Sequence, residues 1–295
     1  MKISDCLEKF LSYLLIEKAC VPSTITVYKT EINKFISYFN TYNLSFPGDI
    51  SISFLRDYIY SAKQKRNLTQ CSISKIIAIL KSFFNYLEEE DIIVKNPTRK
   101  IKMPKKKHKL PRIISQIEFE QLMSSIDFSP FRISKNSVRN KLIFSMLFYT
   151  GIRRNELLSL SFDDLNLSSS TITIRSGKGG KDRIIPLHPK VKCLLELYIG
   201  QRLPLKDNAL FIGEAGKRLC KATLINLLKT CLVLSGLDKK GYSLHSFRHS
   251  FATHLIESGV DLFKVQRLLG HESLDSTKIY ISFNSSQMAK TIERL

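Results

Sequence analysis

The chain's six cysteines, at positions 6, 20, 71, 193, 220 and 231, include no C-x-x-C pair and no regular framework. This argues against a disulfide scaffold and for reduced thiols in a cytosolic protein, several of them simply core residues. No apolar run reaches membrane-spanning length. The longest, around residues 142–152, is short and flanked by Lys141 and Arg153. The chain opens Met1-Lys2-Ile3-Ser4-Asp5, with an acid before any apolar stretch, so no secretory leader is expected. The expectation is a soluble, cytoplasmic protein with no membrane partner. The sequence also lacks a Walker phosphate loop, an H-E-x-x-H pair and any cluster of paired acids suited to two metals, so no nucleotide, metal or other cofactor is expected. There is no solenoid-type repeat.

Positive charge is in excess: the formal net charge is +20 over 295 residues. Basic proteins of this kind meet polyanions. The charge is unevenly placed. Residues 1–94 carry 11 Lys and Arg against 10 Asp and Glu, residues 95–112 carry 9 against none, and residues 113–295 carry 26 against 16. Almost half of the net charge therefore sits in eighteen residues.

Residues 1–94 read as four helices with no strand-like alternation. Leu7, Phe10, Leu11, Leu14 and Leu15 recur at helical spacing, and Val21-Pro22-Ser23 opens a second helix with Ile25, Tyr28, Ile32, Phe35 and Phe39 on one face. Pro47-Gly48 precedes a third near residues 53–63. Ile73, Ile76, Ile77, Leu80, Phe83, Phe84 and Leu87 mark a fourth, which ends in the acid run at 88–91. Residues 95–112, with three prolines and nine positive charges, read as an extended linker. Positive charge without burial suits DNA phosphates, and Lys105, Lys106, Lys107 and Lys109 are its candidate contacts. A solvated spacer is the simpler alternative. A second domain, 113–295, opens at Ser115-Gln116-Ile117-Glu118, a capping-box pattern. Helices continue to about residue 160. A strand over 171–175, a turn through Gly177, Lys178, Gly179 and Gly180, and a strand over 183–187 form a hairpin. The remainder reads as helical, broken at Gly236, Gly241, Gly259 and Gly270.

Four separated segments then present phosphate-binding or proton-handling side chains: Thr150-Gly151-Ile152-Arg153-Arg154-Asn155-Glu156-Leu157, Lys178 on the hairpin, His245-Ser246-Phe247-Arg248-His249, and Leu268-Leu269-Gly270-His271. Tyr280 follows nine residues after His271. In this order they resemble the boxes of the tyrosine recombinase/integrase family, in its Xer-like and phage-integrase branch, and the likeness covers essentially the whole chain. It implies a mainly α fold with a small antiparallel sheet. A helical, SAM-like core-binding domain and an α+β catalytic domain would close as a two-domain clamp on double-stranded DNA.

The resemblance also assigns roles. Developing negative charge on a phosphodiester is clamped by two guanidiniums, and Arg153 and Arg248 match the family's pair. His245, three residues before Arg248 and so on the same helical face, matches the histidine that handles the tyrosine proton. Lys178 matches the hairpin lysine that protonates the leaving 5′-oxygen from the minor groove. His271 matches a scissile-phosphate ligand, and Glu156 a supporting acid that positions the cations. Tyr280 matches the nucleophile that forms a 3′-phosphotyrosine and frees a 5′-hydroxyl, with strands exchanged through a Holliday junction. Arg154 is left to DNA or solvent contact. His249 and His254 beside His245 suggest zinc at first sight, but no fourth ligand accompanies them, and Phe251 and Leu255 mark that helix as partly core.

The helical domain is expected to begin by residue 3, which favours a simple recombinase acting on short core sites over a larger integrase with an additional arm-binding domain. The segment after Tyr280 carries Met288, Ile292 and Leu295, an apolar face that packs against its own domain or, as the resemblance implies, docks on a neighbouring subunit. The resemblance also implies a tetramer on DNA, with a second recombinase or accessory protein as a further partner. Two competing readings are a type IB topoisomerase, which relaxes DNA with the same nucleophilic chemistry, and a catalytically inactive DNA-binding regulator.

The charge pattern carries its own prediction. Neutralising Lys105, Lys106, Lys107 and Lys109 to Gln should weaken DNA binding across sequences and flatten its salt dependence, by roughly 0.9 in log–log slope for each phosphate no longer neutralised. Unchanged affinity and slope in a fluorescence-anisotropy titration would make the segment a spacer.

Overall fold

The computed structural model describes residues 2–42, 44, 46–104, 111–128, 136–175, 182–202 and 207–270, in two compact units, Met1–His108 and Lys109–Leu295. The first is all-helical: α1 (Ile3–Ile16), α2 (Pro22–Asn40), α3 (Ile52–Arg66) and α4 (Gln70–Glu89). Ser51 and Thr69 cap α3 and α4 by accepting backbone N–H groups at the third position. The apolar faces read from the sequence meet in one core, where Phe10 packs on Phe83 and Phe35 on Phe84 at ring separations of 5.3 and 5.9 Å. Leu15 is the exception and is exposed. Arg66 clamps Glu31 with two hydrogen bonds, tying the end of α3 to α2.

Part of the basic stretch is folded rather than extended. Asn96 and Thr98 are buried, and Ile101 joins the core of this unit. The Asn96 side chain donates to Asn85 and accepts from both the backbone and the hydroxyl of Thr98, while Glu88 accepts from the Asn96 backbone and Arg99. Charge at 95, 99, 100 and 102 hid a turn that satisfies its own polar groups, which is the condition for burying them.

The second unit contains α5 (Gln116–Asp127), α6 (Ser137–Thr150), α7 (Arg154–Ser159), the strands β1 (Leu165–Asn166), β2 (Thr171–Ile174) and β3 (Arg183–Pro186), then α8 (Pro189–Arg202), α9 (Lys221–Leu234), α10 (Leu244–Glu257) and α11 (Leu262–Leu269). The capping box at Ser115 and Glu118 is formed. Helix α6 is buried on nearly all sides and forms the centre of the unit's core. The sheet is antiparallel in the order β1-β2-β3, with Ile172 opposite Ile185 and Ile174 opposite Arg183. The bridges Ser161–Ala209 and Ile212–Arg218 place extended backbone at 209–218, in the stretch after 187 that reads as helical in sequence. Among the described residues no helix is long and apolar enough to cross a membrane.

Gly151 ends α6 at φ +60°, where a Cβ would overlap the Phe251 ring and approach Leu269 within 2.9 Å. Two costs therefore follow for any larger residue, the left-handed backbone and overpacking. Gly151→Ala should destabilise the chain by about 2–4 kcal/mol in urea unfolding. A loss below about 0.5 kcal/mol, the scatter of neutral surface changes, would show that the joint tolerates a side chain.

Candidate active site

The left-handed turn at Gly151 hands the chain to α7 with Arg153 at its N-terminal boundary. Three residues on, Glu156 reaches back and accepts the Arg153 backbone N–H at 2.8 Å, satisfying a donor that a helix start leaves orphaned. The same carboxylate accepts Arg153 Nη1 at 2.8 Å, and Arg183 Nη1 and Nη2 at 2.9 and 2.7 Å. Each oxygen thus takes two donors, so all of its acceptor sites are filled. Burial alone would raise the Glu156 carboxyl, but the hydrogen bonds from Arg183 and Arg153 outweigh it and bring it down to about 2. Its side chain is 9% exposed, so this charge is stable only because it is paired.

The far side of the cluster is the carbonyl end of α11. Arg183 Nε donates to Leu268 O at 3.2 Å, Arg248 Nη2 to Leu269 O at 2.6 Å, and Arg153 Nη2 to Gly270 O at 2.7 Å. Three guanidiniums hold three consecutive carbonyls, and cations are favourable at that end of a helix dipole. Arg248 also donates to Gly151 O at 2.7 Å, which joins α10 to the turn before Arg153. An apolar seam of Ala252, Ile256, Val265 and Leu269 sets α11 against α10 and so fixes where those carbonyls lie. Three Arg and one Glu leave the cluster with a net charge of +2 from these side chains. Among the described residues, Arg153 places Nη1 on Glu156 and Nη2 on Gly270 O.

His245 lies in the first turn of α10, three residues before Arg248. Arg248 turns inward and is buried, whereas His245 stays exposed. The packing around its ring, and then the positive charges of Arg154 and Arg248, lower the His245 pKa and favour a neutral imidazole able to take a proton. Arg154 bonds the Asn155 side chain and adds this positive field at His245.

Arg153, Glu156, His245 and Arg248 are therefore brought together by the elements the sequence places them on. Lys178, His271, Tyr280, Lys105, Lys106, Lys107 and Lys109 lie outside the described residues. The sequence reading missed Arg183. The available signal was its register: on β3 it shares a face with buried Ile185, and a charge facing inward needs a partner. Among the described residues no group of His, Cys, Asp and Glu could hold a metal ion.

The phage integrase family matches residues 112–287, and the N-terminal SAM-like domain of phage integrases matches residues 7–91. Tyrosine recombinase XerD of Listeria monocytogenes is 34% identical over 286 residues, spanning 94% of each chain. A tyrosine recombinase of Thermosipho africanus is 31% identical, spanning 98% of this chain and 99% of that one. Among solved structures, the XerH site-specific recombinase bound to palindromic difH substrate, a post-cleavage complex, has TM-score 0.76 at 27% identity over 97% of this chain and 83% of that one. The Tn1549 transposon integrase, in complex with circular intermediate DNA, shares the fold with TM-score 0.74 at 19% identity over 95% of each chain.

The electrostatics at His245 can be measured directly. In the DNA-free protein its imidazole should titrate below the ordinary histidine value of about 6.5. Arg154→Ala should move that midpoint upward, because a positive neighbour is removed. An NMR titration with a midpoint at or above the ordinary value, or one insensitive to Arg154, would contradict the assigned field.

Proposed function

Because the chain belongs to the phage integrase family of tyrosine recombinases, we propose that it is a site-specific recombinase that cuts duplex DNA with Tyr280 and rejoins it to a new partner. What carries this reading is the convergence of Arg153 and Arg248 on adjacent carbonyls of one helix end, with His245 one turn from Arg248 and Glu156 fixing Arg153. Two guanidiniums so placed suit the two non-bridging oxygens of a phosphodiester, and each can contribute roughly a hundredfold when preorganised.

In the proposed step the Tyr280 oxygen attacks phosphorus and the bond from phosphorus to the 5′-oxygen breaks. His245 takes the tyrosine proton and Lys178 protonates the leaving 5′-oxygen, with His271 on the phosphate. The 3′-phosphotyrosine keeps the bond energy, so religation reverses the same steps and needs neither nucleotide nor metal. Two protomers at a site and four in the synapse would exchange strands in two rounds through a Holliday junction. The segment after Tyr280 would dock on the neighbouring subunit, and the lysines at 105–107 and 109 would lie on DNA phosphates. A second recombinase or an accessory protein is a further partner of such a synapse. The work would take place in the cytoplasm. The XerH relative is a recombinase caught after cleavage of its substrate, which supports this chemistry for the chain.

The test begins by incubating the protein with sheared genomic DNA, trapping covalent adducts with detergent and sequencing the attached DNA. A nicked duplex of the recovered sequence should then give a covalent complex, lost in Tyr280→Phe, and recombinant product from two such sites. Relaxation of supercoils without sequence preference would indicate a topoisomerase, and binding with no adduct a regulator. Either outcome overturns the proposal.

A further inference from the structure

Arg183 is the arginine of the cluster that the proposed chemistry does not use, yet it is bound into the cluster more deeply than Arg153. Both of its η nitrogens lie along the Glu156 carboxylate, and its Nε donates to Leu268 O. Its side chain is 11% exposed against 26% for Arg153. A phosphate arriving from solvent would meet Arg153 first, because the Arg183 fork already faces a carboxylate.

Geometry puts Arg183 at a junction of three elements. It opens β3 opposite Ile174, five residues after Lys178 in the sequence. Through Glu156 it reaches both the backbone and the side chain of Arg153. Its stem lies under Gly270, where a Cβ would stand 3.1 Å from Arg183 Cδ and 3.2 Å from Nε. Gly270 has φ +63° and is the residue just before His271. A larger residue there would be strained in its backbone and would push on the arginine stem.

We infer that Arg183 is a positioning residue for DNA cleavage, setting Arg153 through Glu156 and fixing the hairpin strand to the carbonyl end of α11. The inference rests on the recombinase reading above. Two physical features support it. A planar fork holds a carboxylate in one orientation, which an ammonium cannot do. The carboxylate's remaining acceptor sites are then available only to Arg153, so Glu156 cannot rotate away without breaking four hydrogen bonds. Residues that hold a reacting group's partner in place act on rate through geometry; where such supports orient metal ligands, removing one typically costs roughly 10–100-fold, which sets the scale here.

The experiment uses the full chain and a nicked duplex of the sequence recovered from its own adducts. Affinity comes from anisotropy, and the single-turnover cleavage rate constant is separated from the amplitude. Arg183→Gln should bind as the wild type does and cleave roughly 10–100-fold more slowly. Its acid limb should move to higher pH, since Glu156 loses the fork that keeps it ionised. Arg183→Lys keeps the charge without the fork and should recover only part of the rate. Glu156→Gln with Arg183→Gln should be no slower than the slower single variant, because both act on the same group.

A purely structural arginine would lower the amplitude, the folded fraction, and leave the rate constant of both variants unchanged. That result overturns the inference, as does a multiplicative loss in the double variant. If Arg183→Gln does not fold, the rate constant of Arg183→Lys decides alone. An adduct that survives Tyr280→Phe would instead sink the recombinase reading on which the inference rests.

Discussion

The second unit depends on one buried carboxylate. Glu156 sits among guanidiniums with every acceptor site filled, and its charge survives burial only for that reason. Take away one partner and a buried charge is left short of donors, which typically costs about 3–5 kcal/mol. The carboxylate therefore holds its arginines where they are as firmly as they hold it. It also sets the sign of the site, because one acid against three arginines leaves a net positive cluster facing a polyanion.

The same constraint spreads outward through backbone carbonyls. Consecutive carbonyls at Leu268, Leu269 and Gly270 each take a different arginine, so the end of α11, α7, α10 and strand β3 share one hydrogen-bonded joint. Gly151 lets Arg248 close that joint from the other side, since its backbone turn both ends α6 and presents a carbonyl. The helices thus do more than bury an apolar core. They bring residues distant in sequence onto one helix end, and the polar contacts there select a single arrangement. In the proposed function the ligand of this positive cluster is a phosphodiester of DNA.

Much of this was legible in the sequence. Helices α1, α2 and α4 announce themselves by apolar spacing, the paired strands β2 and β3 by their alternation and the glycines between them in sequence, and α5 by Ser115 and Glu118. Arg153, Glu156, His245 and Arg248 stand out by motif order, and the fold places them around one helix end. Three features could not be read. Arg183 is one arginine in a basic chain, and only strand register reveals that it faces inward with Ile185. The carbonyls of α11 carry no side-chain signature at all. Asn96, Thr98 and Ile101 lie in a stretch whose charge suggests exposure, yet a small hydrogen-bonded turn buries them. In each case the missing information is a pairing between residues, which composition and periodicity do not record.

The central claim is that the Glu156-centred arginine cluster is a ready-made seat for the scissile phosphate. The most direct measurement is a crystal structure of the chain on a nicked duplex of its own target site. The account expects one phosphate with its non-bridging oxygens about 3 Å from donors of both Arg153 and Arg248, and the Arg183 fork still closed on Glu156. A phosphate bound away from those two arginines, or a Glu156 released from Arg183 when DNA is bound, would contradict it.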